Sequence, residues 1–375
     1  MSKVLTKRLL RGRTFQLVLF VTTVMAIALL VSRAKAAQAE TPSSRAVPQS
    51  SYLTPVEAKI SRDGRRLYVV CEDDDSVLAV DLRTERVVAR AKVGHKPKDV
   101  AVSPDGRTLY ISNEWSDTVT ELDAATFTAR RTLPTGWGPI GLTTDSTGKV
   151  LYVANSISND ISLVDLTNGV EIKRLASWRS PHQLQLSRDG RRVYVSNLLP
   201  HLGSPDEPPV SELTVIDTQK RRVAERILIP GVLELRHIAE ATIERGGYLL
   251  VPFMRPKNLN PLIQVAQGWI VTHGMAVVWP AMNAGEGVKR SKVTQVLLDD
   301  PDYYYAGGNG TAFTPLGRYA VVTHSDADVV SIIDAPDDAA ATALAMSVGK
   351  LGYIRTQSLR AFSAAELASI MDKVV

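Results

Sequence analysis

Short apolar runs alternate with polar turns along most of the chain, and the same pattern returns at a fixed interval. A turn segment containing glycine is followed each time by a strand-like run, with a tyrosine four residues after the glycine. The copies begin 42 residues apart and read SRDGRRLYVV (61–70), SPDGRTLYIS (103–112), DSTGKVLYVA (145–154) and SRDGRRVYVS (187–196). This periodicity predicts an internal repeat built from short β-strands.

Each repeat is interpreted as four strands joined by tight turns. In the second repeat the strands are DVAVS, TLYIS, TVTELD and ARRTLP. The second turn carries Asp75, Asp117, Asn159 or Asp328, which we interpret as structural turn residues. A unit of this size cannot bury both faces of its sheet alone, so the copies must stack. The predicted fold is all-β, a β-propeller of four-stranded blades.

The blade count depends on the end of the chain. Units 57–97, 98–139, 140–181 and 310 to about 349 are regular, whereas units 182–236 and 237–309 are longer. SVGKLGYIRTQ (347–357) resembles VGHKPKDVAVS (93–103), so a seventh copy begins there. We predict seven blades with an irregular last one, and six blades is the alternative.

The segments outside the repeats are predicted separately. Residues 40–56 form an N-terminal segment with a candidate closing strand. Residues 351–375 form an irregular tail, in which a capping box at Ser363 and Glu366 predicts a short helix over about 364–373.

Residues 1–39 have the pattern of an export signal, with a basic start, an apolar run over 15–31 and an alanine-rich stretch ending at Ala39. We expect cleavage after Ala39, a periplasmic or secreted location and no membrane span after cleavage. An uncleaved N-terminal anchor is the alternative. Because this segment holds seven Lys/Arg and no Asp/Glu, the net charge of +5 becomes −2 for the remaining chain. No nucleic-acid partner is therefore expected.

LYVAN (151–155), with LYISN (109–113) and VYVSN (193–197) as variants, resembles the strand that names the YVTN-type β-propellers. The resemblance covers residues 57 to about 350. It extends to surface-layer-type propellers and to the propeller chains of methylamine dehydrogenase and nitrous oxide reductase. It implies the fold, but propellers serve many functions, so it does not identify one.

The stretch RPKNLNPLIQVAQGWIVTHGMAV (255–277) lies in a longer insertion, 254–300, after the second strand of the fifth blade. It resembles an insertion in YVTN-type propellers that are fused to, or work beside, c-type cytochromes and di-haem peroxidase-like proteins. The resemblance implies a docking or site-covering loop, and a loop that only stabilises the ring is the alternative. The sequence contains no CxxCH motif. We therefore expect no cofactor on this chain and a haem protein as its partner.

The leading hypothesis is a non-catalytic binding scaffold. Its expected partner-binding residues are Arg255, Lys257, Asn258, Gln264, Trp269, Thr272 and His273 in the insertion and Trp137, Trp178 and Arg179 on the rim. No metal site is expected, because the six histidines are scattered. One alternative is a lactonase-like hydrolase that uses His182, His237 and Arg236 at the channel mouth. Another is a structural propeller of the cell envelope.

Overall fold

A computed structural model describes residues 53–201, 203, 207–241, 247–256, 271–281, 291–297, 308–313, 319–324, 329–334 and 356–360. These residues form six antiparallel sheets, numbered here as blades 1 to 6 along the chain. In blades 1 to 4 and in blade 6, the four strands pair in chain order, with the first strand innermost. The expected all-β propeller of four-stranded blades is confirmed.

The first three blades are regular. Blade 1 contains β1 (Pro55–Ile60), β2 (Arg66–Cys71), β3 (Ser76–Asp81) and β4 (Arg86–Lys92). Blade 2 contains β5 (Pro97–Val102), β6 (Thr108–Asn113), β7 (Thr118–Asp123) and β8 (Ala129–Pro134), with a 3-10 turn at Glu114–Ser116. Blade 3 contains β9 (Pro139–Thr144), β10 (Val150–Asn155), β11 (Asp160–Asp165) and β12 (Val170–Ala176).

The other three blades depart from the repeat in different ways. Blade 4 contains β13 (Pro181–Leu186), β14 (Arg192–Asn197), β15 (Val210–Asp217) and β16 (Arg222–Pro230). Blade 5 contains β17 (Glu234–Leu235), β18 (Ala239–Glu240), β19 (Leu249–Pro256), β20 (Val271–Trp279) and β21 (Lys292–Leu297). Blade 6 contains β22 (Gly308–Phe313), β23 (Tyr319–His324), β24 (Val329–Asp334) and β25 (Thr356–Arg360).

The end of the chain differs from the predicted seventh copy. Residues 356–360 overlap the segment expected to start that copy, but they pair with β24 as the outer strand of blade 6. The described residues therefore form six blades, the alternative count. The predicted helix over about 364–373 and the segment 1–52 lie outside the described residues. Within the described part of the chain, no helix is long and apolar enough to cross a bilayer.

Three of the four predicted turn residues adopt turn geometry, and Asp328 lies outside the described residues. Asp75, Asp117 and Asn159 all have positive φ values. Each also accepts the backbone N–H of the residue 21 positions later, at 2.9, 2.8 and 2.7 Å respectively. Because the acceptor ends one loop and the donor lies in the next, each bond fixes two loops of the same face against each other.

The inner strands are irregular at one equivalent position. In blade 2, Lys98 and Asp99 together lie opposite Ser112, which is a β-bulge, and the same shift in register recurs in blades 1, 3, 4 and 6. In blade 5 the inner strand is interrupted between β17 and β18. A bulge leaves one amide outside the ladder and re-aims the neighbouring side chains.

Serine hydroxyls satisfy these bulges and join neighbouring blades. The Ser112 hydroxyl accepts the Asp99 N–H at 3.0 Å and donates to the Ile140 carbonyl of blade 3. Ser196 repeats the arrangement between blades 4 and 5, accepting from Gln183 at 3.1 Å and donating to the Arg236 carbonyl at 2.5 Å. The bulges of these inner strands are thus hydrogen-bonded to the neighbouring blades.

The last residue of the LYVAN-type strand packs against a glycine. Asn113 Oδ1 accepts the Gly94 N–H at 3.0 Å, and its Nδ2 donates to the hydroxyl of Thr120 at 3.0 Å. A Cβ on Gly94 would lie 2.5 Å from Asn113 Cγ, and one on Gly136 would lie 2.5 Å from Asn155 Nδ2. Only glycine therefore fits beside these buried asparagines.

Candidate functional site

A cavity of about 700 Å³ opens where the inner strands converge, and we call it the channel mouth. Residues from all six blades line it. The polar side chains that converge there include Lys98 from blade 2, His182 from blade 4, and Arg236 and His237 from the break in blade 5. Its volume is in the range of small-molecule sites.

Comparison among the repeats shows that the fold does not require these polar groups. Val56, Lys98, Ile140 and His182 occupy equivalent positions 42 residues apart, directly after the first proline of each inner strand. In blades 1 and 3 the residue at this position is aliphatic, so the blade forms without a polar side chain there. Lys98 and His182 therefore need an explanation other than the fold.

His182 is half-buried and carries no charge near neutral pH. Burial lowers its pKa to about 4, and the positive charges of Arg236 and Lys98 act in the same direction. Its Nδ1 is buried without a hydrogen-bond partner among the described residues. A bare lone pair is better tolerated there than an N–H. The proton therefore belongs on Nε2, which makes His182 a hydrogen-bond donor.

His237 is also half-buried, but the groups around it shift its pKa in both directions. Burial lowers its pKa to about 4; Lys59 acts in the same direction, while Glu57 and the Thr311 backbone oppose the shift. Its Nδ1 also has no hydrogen-bond partner among the described residues. Both histidines are thus neutral in the channel mouth above about pH 5.

Asp99 is 2% exposed and links three blades. Its carboxylate accepts the N–H of Val100 at 2.7 Å and that of Leu142, in blade 3, at 3.1 Å. Burial raises its pKa, opposed by the ammonium of Lys59 from blade 1 and by these two amides. Asp99 is a structural anchor of the cavity wall, and the sequence alone did not single it out.

The neutral histidines predict a pH-dependent stability. Because the pKa of His182 lies near 4 when folded and 6.5 when unfolded, the unfolded chain binds more protons between these values. Stability is therefore lost as the pH falls from 6.5 to 4, by up to about 3 kcal/mol. Urea unfolding at pH 7.0 and 4.5 should show a smaller loss for His182→Gln than for the wild type.

A matched control for that measurement is Leu228→Gln, because Leu228 is 60% exposed and has no titratable group. It should leave the pH dependence unchanged. An equal loss of stability in the wild type and in His182→Gln would contradict the neutral, desolvated state of His182.

Around the channel mouth, one face carries a repeated pair of loop residues. The N–H of Trp115 donates to the carbonyl of His95 at 3.2 Å, that of Ile157 to Trp137 at 3.2 Å, and that of Leu199 to Arg179 at 3.3 Å. These contacts place Trp115, Trp137, Ile157 and Leu199 along one face of blades 2 to 4, and we call them the rim arc. Their exposures are 67%, 66%, 62% and 43%.

The predicted partner-binding residues separate into three groups. Trp137 and Arg179 are exposed on this face, whereas Trp178 is half-buried against the ring of His201, with 5.4 Å between ring centroids. Thr272 and His273 are buried in β20, 6% and 2% exposed, so a docking surface excludes them.

In the insertion, Arg255 is half-buried at the end of β19, with its guanidinium beside Gly231. The other predicted insertion residues lie outside the described part, namely Lys257, Asn258, Gln264 and Trp269. The strand ends at Pro256 and Val271 pair with each other. By the equivalence of the blades, these two strand ends lie at the same face as the rim arc.

Sequence reasoning missed Trp115, Ile157 and Leu199. Each stands two residues after the asparagine that ends the second strand, and they recur every 42 residues. That spacing was the available signal, but the surrounding residues were interpreted as a turn.

The alternative catalytic set, His182, His237 and Arg236, does converge in the channel mouth. No serine, cysteine or carboxylate side chain among the described residues hydrogen-bonds to either histidine. In the same part of the chain, no three His, Cys, Asp or Glu side chains are grouped to hold a metal ion.

Two family models match parts of the chain. The cytochrome D1 heme domain matches residues 33–147, and the GYD domain matches residues 318–371, most of which lie outside the described part. No curated protein matches.

Solved structures match over most of the chain. A chain of Kuenenia stuttgartiensis hydrazine synthase is 25% identical with a TM-score of 0.71, covering 83% of this chain and 88% of that one. The Cps50 (Swd1) β-propeller domain of Myceliophteria thermophila is 15% identical with a TM-score of 0.59, covering 82% and 87%. A chain of the Mitotic Checkpoint Complex is 12% identical with a TM-score of 0.51, covering 72% and 71%. The last two indicate the fold alone.

The matched residues offer few ligands for the heme named in the first family. His95 is the single histidine in 33–147, and its Nδ1 is 2.7 Å from Asp75 Oδ2. Cys71 is 1% exposed. The buried Cys71 is closed to a heme iron, and His95 would offer only its Nε2 at the surface, so no step is assigned to that group. The chain is a β-propeller, and its similarity to the hydrazine synthase chain and to the cytochrome D1 heme domain fits a redox-associated propeller.

Proposed function

We propose that the chain is a non-catalytic binding scaffold, exported to the periplasm, that docks a c-type haem protein through the rim arc and the 257–270 connection. The rim arc is the observation that carries the proposal. Four large apolar side chains lie exposed on one face of three successive blades, where they do not contribute to the core of the ring. Tryptophan and exposed aliphatic groups of this kind are typical anchors of protein interfaces.

The loops that carry the arc are already ordered for binding. Backbone hydrogen bonds join the two members of each loop pair, and Asp75, Asp117 and Asn159 fix the adjacent amides. A partner would therefore meet a rigid surface, and little loop entropy would be lost on binding. The choice of a redox partner is supported by the similarity to the hydrazine synthase chain.

The proposal predicts that removing two anchors abolishes capture of a haem protein. The tagged chain is incubated with periplasmic extract of the source cells, and the retained proteins are measured by haem absorbance and mass spectrometry. The double variant Trp115→Ala/Trp137→Ala should lose the haem protein that the wild type retains. With the purified partner, we expect the Kd to rise at least about a hundredfold, because each buried tryptophan contributes 2 kcal/mol or more.

Leu228→Ala is the matched control, because Leu228 is 60% exposed but lies on the outer strand β16 of blade 4. It should bind like the wild type. Equal retention by the wild type and the double variant, or no haem protein retained by either, would contradict the proposal. Unchanged urea unfolding of the double variant shows that any loss comes from the surface rather than from the fold.

A further inference from the structure

We propose that the channel mouth binds a small anion, whose carboxylate or comparable oxyanion group is held by Lys98, His182 and Arg236. This site is separate from the rim arc and does not depend on the docking function. It uses the inner wall of the ring, where blades 2, 4 and 5 each contribute one of these groups.

The first argument comes from the repeat. Positions 56 and 140 show that an aliphatic residue suffices after the inner-strand proline, yet the equivalent residues 98 and 182 are polar. Desolvating a lysine and a histidine at such positions costs stability that valine or isoleucine would not cost. Polar side chains that lower the stability of the fold and converge in a cavity are candidates for ligand binding.

The second argument is the sign of the local charge. The charged side chains that act on His182 at neutral pH are Arg236 and Lys98, and both disfavour its protonation. Arg236 and Lys98 therefore give the surroundings of His182 a positive potential, which their paired carboxylates Glu72, Glu114 and Glu234 reduce. An anion entering this part of the cavity would be attracted, whereas a cation would be repelled.

The third argument is donor capacity. Lys98 Nζ lies 2.9 Å from Glu72 Oε1 and 3.2 Å from Glu114 Oε2. An ammonium has three N–H donors, so one remains for a ligand. His182 adds an Nε2–H donor, because its Nδ1 is buried and unprotonated. The Arg236 guanidinium adds charge and is steadied by Glu234, whose Oε2 is 2.9 Å from Arg236 Nε.

Two acidic groups, Asp99 and Glu57, line the cavity, and both are already engaged. Asp99 is held by two backbone amides. Glu57 Oε1 accepts the Ala58 N–H at 3.0 Å and lies 3.6 Å from Lys59 Nζ. Both carboxyl groups therefore face local positive partners, which reduces their repulsion of a bound anion.

The size and lining of the cavity narrow the class of ligand. A volume of about 700 Å³ is far larger than a single inorganic ion needs. Val56 and Ile140 give the cavity an aliphatic side beside the cationic one. A small organic acid would place its carboxylate near Lys98 and His182 and its hydrocarbon part against Val56 and Ile140.

The test is isothermal titration calorimetry of the purified chain at pH 7 and low salt, with succinate, benzoate and inorganic phosphate as separate probes. We expect saturable binding of an organic probe, weakened at least about tenfold by Lys98→Met and by His182→Gln. Saturable binding of phosphate alone, weakened by both variants, would keep the oxyanion site but assign it to an inorganic ion. Lys92→Met and His95→Gln, exposed residues outside the cavity, should bind like the wild type.

A second measurement uses only the wild-type chain, so it does not require any variant to fold. In the wild-type chain, the ring resonances of His182 should shift on titration with the bound probe, whereas those of His95 should not. Absence of saturable binding of all three probes up to about 10 mM, or binding unaffected by both variants, overturns the site. Trp115→Ala/Trp137→Ala should retain anion binding, so failure of the docking proposal and failure of this one are distinguishable.

Discussion

Replacing Gly141 by alanine is expected to lower the free energy of unfolding by about 3 kcal/mol, the upper part of the range for overpacked sites. A Cβ at this position would lie 2.1 Å from the carbonyl oxygen of His182 and 3.0 Å from Gln183 Cα. Both are backbone atoms of the next blade, so no side-chain rotation relieves the clash. Strand β13 must move as a whole, and urea unfolding followed by circular dichroism measures the cost.

Gly64→Ala is the matched control, because Gly64 has a φ of +69° and no atom within 4 Å of an added Cβ. Its cost is that of the left-handed conformation, about 1 kcal/mol. If Gly141→Ala were no more destabilising than Gly64→Ala, the close approach of β9 and β13 would be contradicted. Because β13 carries His182, the Gly141 variant should also weaken anion binding.

Replacing Asp99 by alanine is expected to cost about 3 kcal/mol of stability as well. The variant leaves the amides of Val100 and Leu142 without their acceptor and removes one of the two carboxyl groups, Asp99 and Glu57, that act on Lys59. Since these groups belong to three blades, the loss weakens the ring rather than one sheet. The free energy of unfolding in urea at pH 7 is the measurement.

Asp105→Ala provides the comparison for Asp99. Asp105 also accepts two hydrogen bonds, from the Ser103 hydroxyl at 2.6 Å and the Arg107 N–H at 3.0 Å, but in an exposed turn within one blade. Water replaces those bonds, so a loss below about 1 kcal/mol is expected. Similar losses for the two variants would show that linking blades adds nothing to the role of Asp99.

The repeat made most of the fold predictable because its signals are local. The turn glycine, the strand tyrosine and the terminal aspartate each lie within one unit of 42 residues, so the sequence displays them directly. The number of blades was less accessible. Residues 347–357 carry the pattern that opens a repeat, whereas the place of 356–360 is decided by pairing with β24, a contact that no local signal records.

The site was predictable only where a residue type was unusual for its position. His182, His237 and Arg236 attracted attention as histidines and an arginine near the channel, and they do converge. Asp99 was missed because a bulge aims it at the next blade, which strand alternation does not predict. Thr272 and His273 were misplaced because β20 begins earlier than the contact-rich composition of the insertion indicates.

The fit of Gly94 against Asn113, repeated by Gly136 and Asn155, bears on how this protein can change over evolutionary time. Each glycine lies 19 residues before its asparagine, and an added Cβ would clash with that asparagine as it lies. In blade 4, where Trp178 stands at the equivalent position, Asn197 accepts the Ser177 hydroxyl instead. Homologous chains should therefore inherit the two as a covarying pair: where the asparagine is lost, the glycine is released from selection. A blade that has lost both residues can acquire a new loop. The presence of the pair therefore indicates which blades still follow the ancestral repeat.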